Sequence, residues 1–275
     1  MSEPRTLAPL ERRAAVVSGI ERHGAYDLIT ALDQSGPTDP RPGQFYMLAA
    51  AERWGGGGDE RPYLPRAFSY ARARAEPDGV ALDFLLEAVG PGTERLAEMA
   101  PDEGLALVGP LGIGFRPPGA GMRALLVGGG IGAAPLLCWQ EELGGTSPVV
   151  LLGFRSADHA QAAALFAGQP QVVTDDGSVG RQAFVTELLA AELDGDANVT
   201  VYACGPPAML EAVRTLCAER DVPAQLAMES GMACGFGACF GCVVPTRNGY
   251  VRLCVDGPVM DAAELETAMV AGAGH

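Results

Sequence analysis

Met232-Ala-Cys-Gly-Phe-Gly-Ala-Cys-Phe-Gly-Cys242, completed by Cys254, is the stretch from which the rest of this chain can be read. Its cysteines are spaced C-x4-C-x2-C-x11-C. Such a spacing holds a [2Fe–2S] cluster, with three thiolates from one tight loop and the fourth returning from further along. Gly235, Gly237 and Gly241 suit that loop, which needs positive φ angles and bare N–H groups turned toward sulfur. The stretch therefore predicts a one-electron carrier on Cys234, Cys239, Cys242 and Cys254. The remaining chain must then supply or take those electrons. Zinc also accepts four thiolates, usually as two C-x2-4-C pairs. A non-enzymatic zinc-binding module is the reading from a different class.

Composition narrows the chemistry. The chain has 275 residues and a formal charge of −15, which disfavours a nucleic-acid partner. It contains no lysine, which excludes P-loop and Schiff-base chemistry. With three histidines (His23, His159 and His275), histidine-centred acid–base catalysis has little to draw on. A bound nucleotide must be held by arginines, backbone amides and helix N-termini. Seven cysteines and an N-terminus without an apolar segment predict reduced thiols and a cytoplasmic protein. No run qualifies as a membrane span; the longest apolar stretch, Ala124 to Trp139, is broken by glycines and Pro135.

The chain divides into three segments. Residues 1–118 read as short strands with turn punctuation, including 14–17, 25–30 and 82–89, and predict an antiparallel β-barrel. The Gly55–Gly58 run reads as an exposed loop tip. Residues 119–226 alternate strands (124–128, 148–153, 171–174, 199–206) with helices (133–143, 183–193, 207–220). That alternation predicts a parallel sheet covered on both faces. Residues 227–275 form the cysteine module.

Four further strings carry chemistry. In Leu64-Pro-Arg-Ala-Phe-Ser-Tyr70, Arg66 can pair with a diphosphate, Phe68 can lie on a flavin ring and Ser69 can reach a ring nitrogen. The alternative is Phe68 in the core and Arg66 in solvent. In Val89-Gly-Pro-Gly-Thr-Glu-Arg-Leu96, Gly90 and Gly92 allow close approach, and Thr93 is expected to cap a helix whose start attracts anions. Leu125-Leu-Val-Gly-Gly-Gly-Ile-Gly-Ala-Ala-Pro135 runs a strand into a glycine turn and a helix. Gly128, Gly130 and Ala133 give G-x-G-x-x-A, and with Gly132 they predict a dinucleotide site. Cys204-Gly205-Pro206 ends another strand, where ligands of open parallel sheets bind and a nicotinamide can approach. Thr174-Asp-Asp-Gly-Ser178 either lines that cleft or is a solvated acidic turn.

Taken in order, Arg66-Ala-Phe-Ser, Gly92-Thr, Gly109-Pro-Leu-Gly, Val127-Gly-Gly-Gly-Ile-Gly and Cys204-Gly-Pro resemble the ferredoxin–NADP reductase superfamily. Within it, the cysteine block followed by Leu253-Cys-Val-Asp-Gly-Pro-Val259 looks like electron-transfer subunits of dihydroorotate dehydrogenase B. The resemblance implies an FAD-binding barrel, an NAD-binding α/β domain and a [2Fe–2S] module. It also implies a partner: an FMN-containing catalytic subunit that oxidises dihydroorotate in pyrimidine biosynthesis, assembled as a heterotetramer of two of each. Electrons would run from the partner's FMN through the cluster to FAD, then as hydride to NAD. By matching position, Arg66, Phe68, Ser69, Tyr70, Gly90, Gly92 and Thr93 would contact FAD, with the strand edge Leu85, Leu86 and Glu87 beside it. Gly128, Gly130, Gly132, Cys204, Gly205 and Pro206 would line the NAD site. Many relatives carry tyrosine where Phe68 stands. Arg155 sits where NADP-using relatives place a 2′-phosphate ligand, but 7 arginines against 17 acidic residues over 119–275 favour NAD. The alternative within the same fold is the small subunit of a ferredoxin:NADP or a sulfide oxidoreductase.

Overall fold

The computed structural model describes residues 11–55 and 62–270. Gly56–Gly58 of the expected loop tip, residues 1–10 and residues 271–275 lie outside the described residues.

The N-terminal segment forms one seven-stranded antiparallel sheet curled into a half-barrel. Its strands are β1 (Arg13–His23), β2 (Tyr26–Asp33), β3 (Phe45–Ala50), β4 (Arg66–Ser69), β5 (Arg72–Glu76), β6 (Gly79–Leu86) and β7 (Gly104–Leu111), in the order β4-β3-β7-β1-β2-β6-β5. Alternation in β1 buries Ala15 and Val17 and exposes Val16, the period-two pattern of a strand with one face on a core. That core includes Ile29, Leu48, Leu82, Phe84 and Leu107. β6 stops at Leu86 rather than continuing to Val89, because Gly90 and Pro91 open the short helix α1 (Pro91–Ala97). Proline suits that first helical position, where its missing N–H has no helical acceptor to lose.

The middle segment is a parallel sheet. β8 (Arg123–Gly129), α2 (Ala133–Leu143), β9 (Val149–Phe154), α3 (Ala157–Ala160), β10 (Gln171–Thr174), α4 (Val185–Gly195), β11 (Val199–Cys204), α5 (Pro207–Glu219) and β12 (Ala224–Ala227) follow in sequence. The strand order is β10-β9-β8-β11-β12, all parallel. Successive residues of β8 serve opposite faces. Leu125 and Val127 pack with Leu189 of α4 and Val213 of α5, while Leu126 packs with Leu136 and Leu137 of α2. These strands are buried on both sides, so they read as continuous apolar runs.

The C-terminal segment is not spatially separate. It contains the hairpin β13 (Val243–Thr246) and β14 (Gly249–Arg252), the one-turn helix α6 (Leu253–Asp256) and β15 (Val259–Asp261). β15 adds to the nucleotide-domain sheet as an antiparallel edge strand beside β12. β12 itself runs across the expected boundary at 226/227. Leu253, Cys254 and Leu265 share one core with Leu125 of the sheet and Phe45 and Met47 of the barrel. Among the described residues, no helix is long and apolar enough to cross a membrane.

Candidate redox centre

The hairpin explains why two cysteines far apart in sequence meet. Val243 is paired with Arg252 in register, and Leu253 N–H donates to Cys242 O at 3.1 Å. Cys242 and Cys254 therefore flank the hairpin mouth, with their sulfurs 3.1 Å apart and buried. Burial, with Cys242 alongside, pushes the Cys254 thiol up to about 12. The other two cysteines form the outer pair. Cys234 is half-buried and Cys239 exposed, and their side chains hydrogen-bond. Burial disfavours the Cys234 thiolate. Even so, the N–H groups of Cys239 and Phe236, the Cys239 thiol and the Ala238 N–H outweigh it and bring this thiol down to about 6. Gly241 N–H points at Cys239 Sγ at 3.4 Å.

The loop obtains its curvature from Gly235 (φ +81) and Gly237 (φ +86). Gly241 does not supply a third positive φ as expected. Phe240 does, at φ 59. A left-handed non-glycine residue costs roughly 1–2 kcal/mol. Here Arg252 lies over the Phe240 ring, 5.4 Å from its centroid, and donates to Gly237 O at 3.1 Å. That arginine ties the loop to the hairpin. Among the described residues, no three His, Cys, Asp or Glu side chains converge on a point that could hold one metal ion. Two cysteine pairs with backbone donors aimed at sulfur suit a binuclear cluster, which takes two thiolates per iron, better than one tetrahedral zinc.

The cysteine loop stands one strand away from the flavin string. Gly235 packs on Met47 of β3, where a Cβ would come within 2.8 Å of Met47 Sδ. Met47 pairs with Ala67, the residue between Arg66 and Phe68 in β4.

The predicted FAD residues are partly brought together. The Arg66 guanidinium lies against Gly92, where a Cβ would stand 2.5 Å from Arg66 Nε. Arg66 also lies over the Trp54 ring, 5.8 Å from its centroid. Gly90, not Thr93, occupies the helix cap. Thr93 is the third helical residue, and its hydroxyl accepts from the N–H groups of Val89 (2.9 Å) and Gly90 (3.1 Å). Phe68 and Ser69 are half-buried, and Phe68 leans on the barrel core. Tyr70 is turned fully inward, with its hydroxyl donating to Pro40 O at 2.6 Å, so that side chain serves the core. Leu85 and Leu86 are buried too, leaving only backbone for a ligand. β5 pairs with β6 no further than Asp83, so the 84–87 edge has no strand partner on that side. Glu87 is engaged elsewhere, with Arg155 and His159.

The glycine turn and the end of β11 meet. Gly130 makes the left-handed turn at φ +55. A Cβ on Gly132 would come within 2.6 Å of Gly205 N. One on Gly128 would strike Leu152 at 2.8 Å, so Gly128 serves strand packing rather than the turn itself. Cys204 is fully buried, and burial together with Glu229 pushes its thiol well up, leaving it a neutral group. Pro206 lies beside Gly129. The Thr174–Ser178 string is a self-satisfied turn: Thr174 is buried on Val179, and Asp176 accepts from Ser178 N–H at 2.9 Å. Trp54, Tyr26, His159 and Glu229 carry no local sequence signal and become visible as site neighbours only in the fold.

Residues 229–266 match the family described as the iron-sulfur cluster binding domain of dihydroorotate dehydrogenase B. A Clostridium acetobutylicum protein named as the electron transfer subunit of dihydroorotate dehydrogenase B (NAD(+)) is 34% identical over 240 residues, 87% of this chain and 92% of the relative. This chain belongs to the family of dihydroorotate dehydrogenase B electron transfer subunits. A second family member, from Bacillus caldolyticus, is 38% identical over 237 residues, 82% of this chain and 86% of its own. The fold of the family is seen in solved structures. An NADH-dependent reduced ferredoxin-NADP oxidoreductase superposes with a TM-score of 0.74 at 22% identity, covering 92% of this chain and 90% of its own. The ferredoxin reductase of a carbazole 1,9a-dioxygenase gives 0.64 at 23% identity, covering 80% of this chain and 68% of its own. Both likenesses concern the fold.

Proposed function

We propose that this chain is the NAD-linked half of a two-component dihydroorotate dehydrogenase of pyrimidine biosynthesis. The cluster sits on Cys234, Cys239, Cys242 and Cys254. FAD lies along β4 and the start of α1, and NAD reaches across the glycine turn to Cys204–Pro206. The supporting observation is the contact of Gly235 on Met47, which puts the cysteine loop one strand from Arg66 and Phe68. When bound, the cluster exchanges single electrons and the flavin converts between single electrons and the pair carried by NAD.

The residues of the chain bind and position. Arg66 supplies the cation for the FAD diphosphate, and Gly92 leaves room for it. Phe68 would supply an aromatic contact and Ser69 a hydroxyl to the flavin. Backbone N–H groups of the cysteine loop hold negative sulfur, which favours ligation at neutral pH. The Cys204 thiol is buried and neutral, so at the end of β11 Gly205 and Pro206 would offer the nicotinamide its contact.

Phe236 and Phe240 of the cysteine loop and Val243 and Tyr250 of the following hairpin are large and exposed, as is Cys239. These residues form the docking face for the catalytic subunit, which carries FMN and assembles with this chain as two of each in the cytoplasm. The experiment is co-expression with a dihydroorotate-oxidising FMN protein, followed by addition of dihydroorotate and NAD. The reading requires a stable complex and NADH formation that needs both chains. NADH formation by the catalytic chain alone, or no complex, contradicts it.

A further inference from the structure

Trp54 belongs to none of the motifs of this chain, yet it touches the arginine assigned to the FAD diphosphate. It stands in the segment between β3 and β4. The Arg66 guanidinium lies over its ring, 5.8 Å from the centroid, within the roughly 6 Å reach of a cation–π contact. Arg66 Nη1 donates to Leu64 O at 2.6 Å. Its Nε and Nη2 are turned to Gly92, where a Cβ would stand 2.5 and 2.8 Å from them. Among the described residues, these two nitrogens have no acceptor. That edge is one by which a guanidinium grips two oxygens of an anion at once.

The ring is itself held in place. Ala51 N–H donates to Gly104 O at 2.8 Å and Gly55 N–H to Pro62 O at 2.9 Å, which pins the segment at both ends. Arg95 of α1 donates through Nε to Glu52 O at 3.3 Å and pairs with Glu103. Arg53 pairs with Glu98 at 3.0 Å. The indole packs on the barrel core. Arg53, immediately before Trp54, takes a left-handed φ of 56. A non-glycine residue keeps that conformation only where its surroundings over-determine it, and such residues gather at ligand sites. The contacts close a circuit. Arg95 of α1 holds the backbone at Glu52, that segment holds the indole, the indole holds Arg66, and Arg66 returns to Gly92 of α1.

We propose that Trp54 is a positioning residue for the diphosphate of the flavin nucleotide. It acts through Arg66: the flat guanidinium stacks on the indole and is kept against Gly92 before the cofactor arrives. An arginine held in this way loses less side-chain freedom on binding, which tightens binding without a new contact to the ligand. A leucine would fill much of the same space but has no negative π face to hold the cation. This inference rests on the reading of Arg66 as the FAD diphosphate ligand.

The test uses the full-length chain stripped of flavin and titrated with FAD by calorimetry. W54L should weaken FAD binding about fivefold, the scale of a partly desolvated cation–π contact, and W54F should restore most of that loss. R66Q should weaken FAD binding by itself. In the R66Q background W54L should cost less than about twofold more, because the two residues act as one unit. Should W54L fail to fold, fluorotryptophan labelling weakens the π face with little change of volume and should weaken FAD binding. The control is labelled W54F, whose remaining tryptophan is Trp139, and it should bind FAD as unlabelled W54F does. Wild-type FAD affinity in folded W54L overturns the role of Trp54. So does an equal loss from W54L in both backgrounds, or a W54F protein that binds no better than W54L. In these cases a weakened R66Q leaves the diphosphate reading standing. An R66Q protein that binds FAD like the wild type removes that reading and the inference with it.

Discussion

Arg66 and Gly92, on separate elements of the half-barrel, are in direct contact: a Cβ on Gly92 would approach Arg66 Nε to 2.5 Å. The atoms it would strike belong to the far end of a flexible side chain, so Gly92→Ala should fold while displacing the guanidinium. FAD affinity should fall about tenfold, the loss of about 1.4 kcal/mol expected for one disrupted charge-assisted contact. Flavin content after dialysis and titration of the apoprotein measure this. Unchanged affinity would remove Arg66 from the FAD site.

The exposed hairpin supplies the second prediction. Tyr250 is 80% exposed on β14 and makes no contribution to the cysteine loop's own hydrogen bonds. Tyr250→Asp should weaken association with the catalytic subunit by about 2 kcal/mol, the scale of an interface aromatic. NADH oxidation with an artificial acceptor should be unaffected. Surface-bound catalytic subunit titrated with each form gives the comparison.

Glu211 links α5 to the C-terminal segment. Its carboxylate accepts from Arg214, from Thr267 Oγ1 at 3.0 Å and from Ala268 N–H at 2.5 Å. Arg214 first, then the Ala268 N–H and Thr267 hydroxyl, hold it down to about 2, against partial burial. The folded state therefore binds this proton less readily than the unfolded chain. The stabilisation is fully present above the ordinary glutamate range and is lost as pH falls from about 4.5 toward 2. Glu211→Gln should cost about 1–2 kcal/mol at pH 7. The gap between the two proteins in urea melts should close as pH drops below 4.5. A gap independent of pH would show that charge is not what Glu211 contributes.

Cys138 and Cys217 are buried, and burial pushes both thiols up to about 12. Cys204 is buried and pushed up as well. In native protein at pH 8 these three should resist iodoacetamide, with the modified positions read by mass spectrometry. Rapid labelling of any of them in folded protein would contradict the packing described here.

Much of this architecture is legible in the chain because its signals are local. The helix of α2 falls at Ala133–Leu143 as its periodicity indicates, and β8 to β11 are apolar runs of strand length. The cysteine spacing and the glycine turn are likewise contiguous strings. What the sequence does not display are meetings between distant segments. Glu87 and Arg155 belong to different domains, and nothing near either residue announces the other. β15 is three residues long, too short for a periodicity, and only its pairing with β12 reveals that the cysteine module completes the nucleotide sheet. The left-handed residue at Phe240 runs against propensity, because the loop is shaped by Arg252 and the cysteine pairs rather than by its own residue types. Tyr70 follows the Arg-x-Phe-Ser string directly, yet it lies just past the end of β4, where its hydroxyl reaches the Pro40 carbonyl and its ring is buried in the core.

The most direct test concerns the cysteines. Protein purified without oxygen should contain about two irons and two labile sulfides per chain, the content of a [2Fe–2S] cluster, with a paramagnetic signal on reduction. Replacing Cys239 with Ala should abolish that signal while FAD and NADH oxidation with an artificial acceptor persist. A colourless wild-type protein holding zinc, or holding no metal and no labile sulfide, would contradict the account.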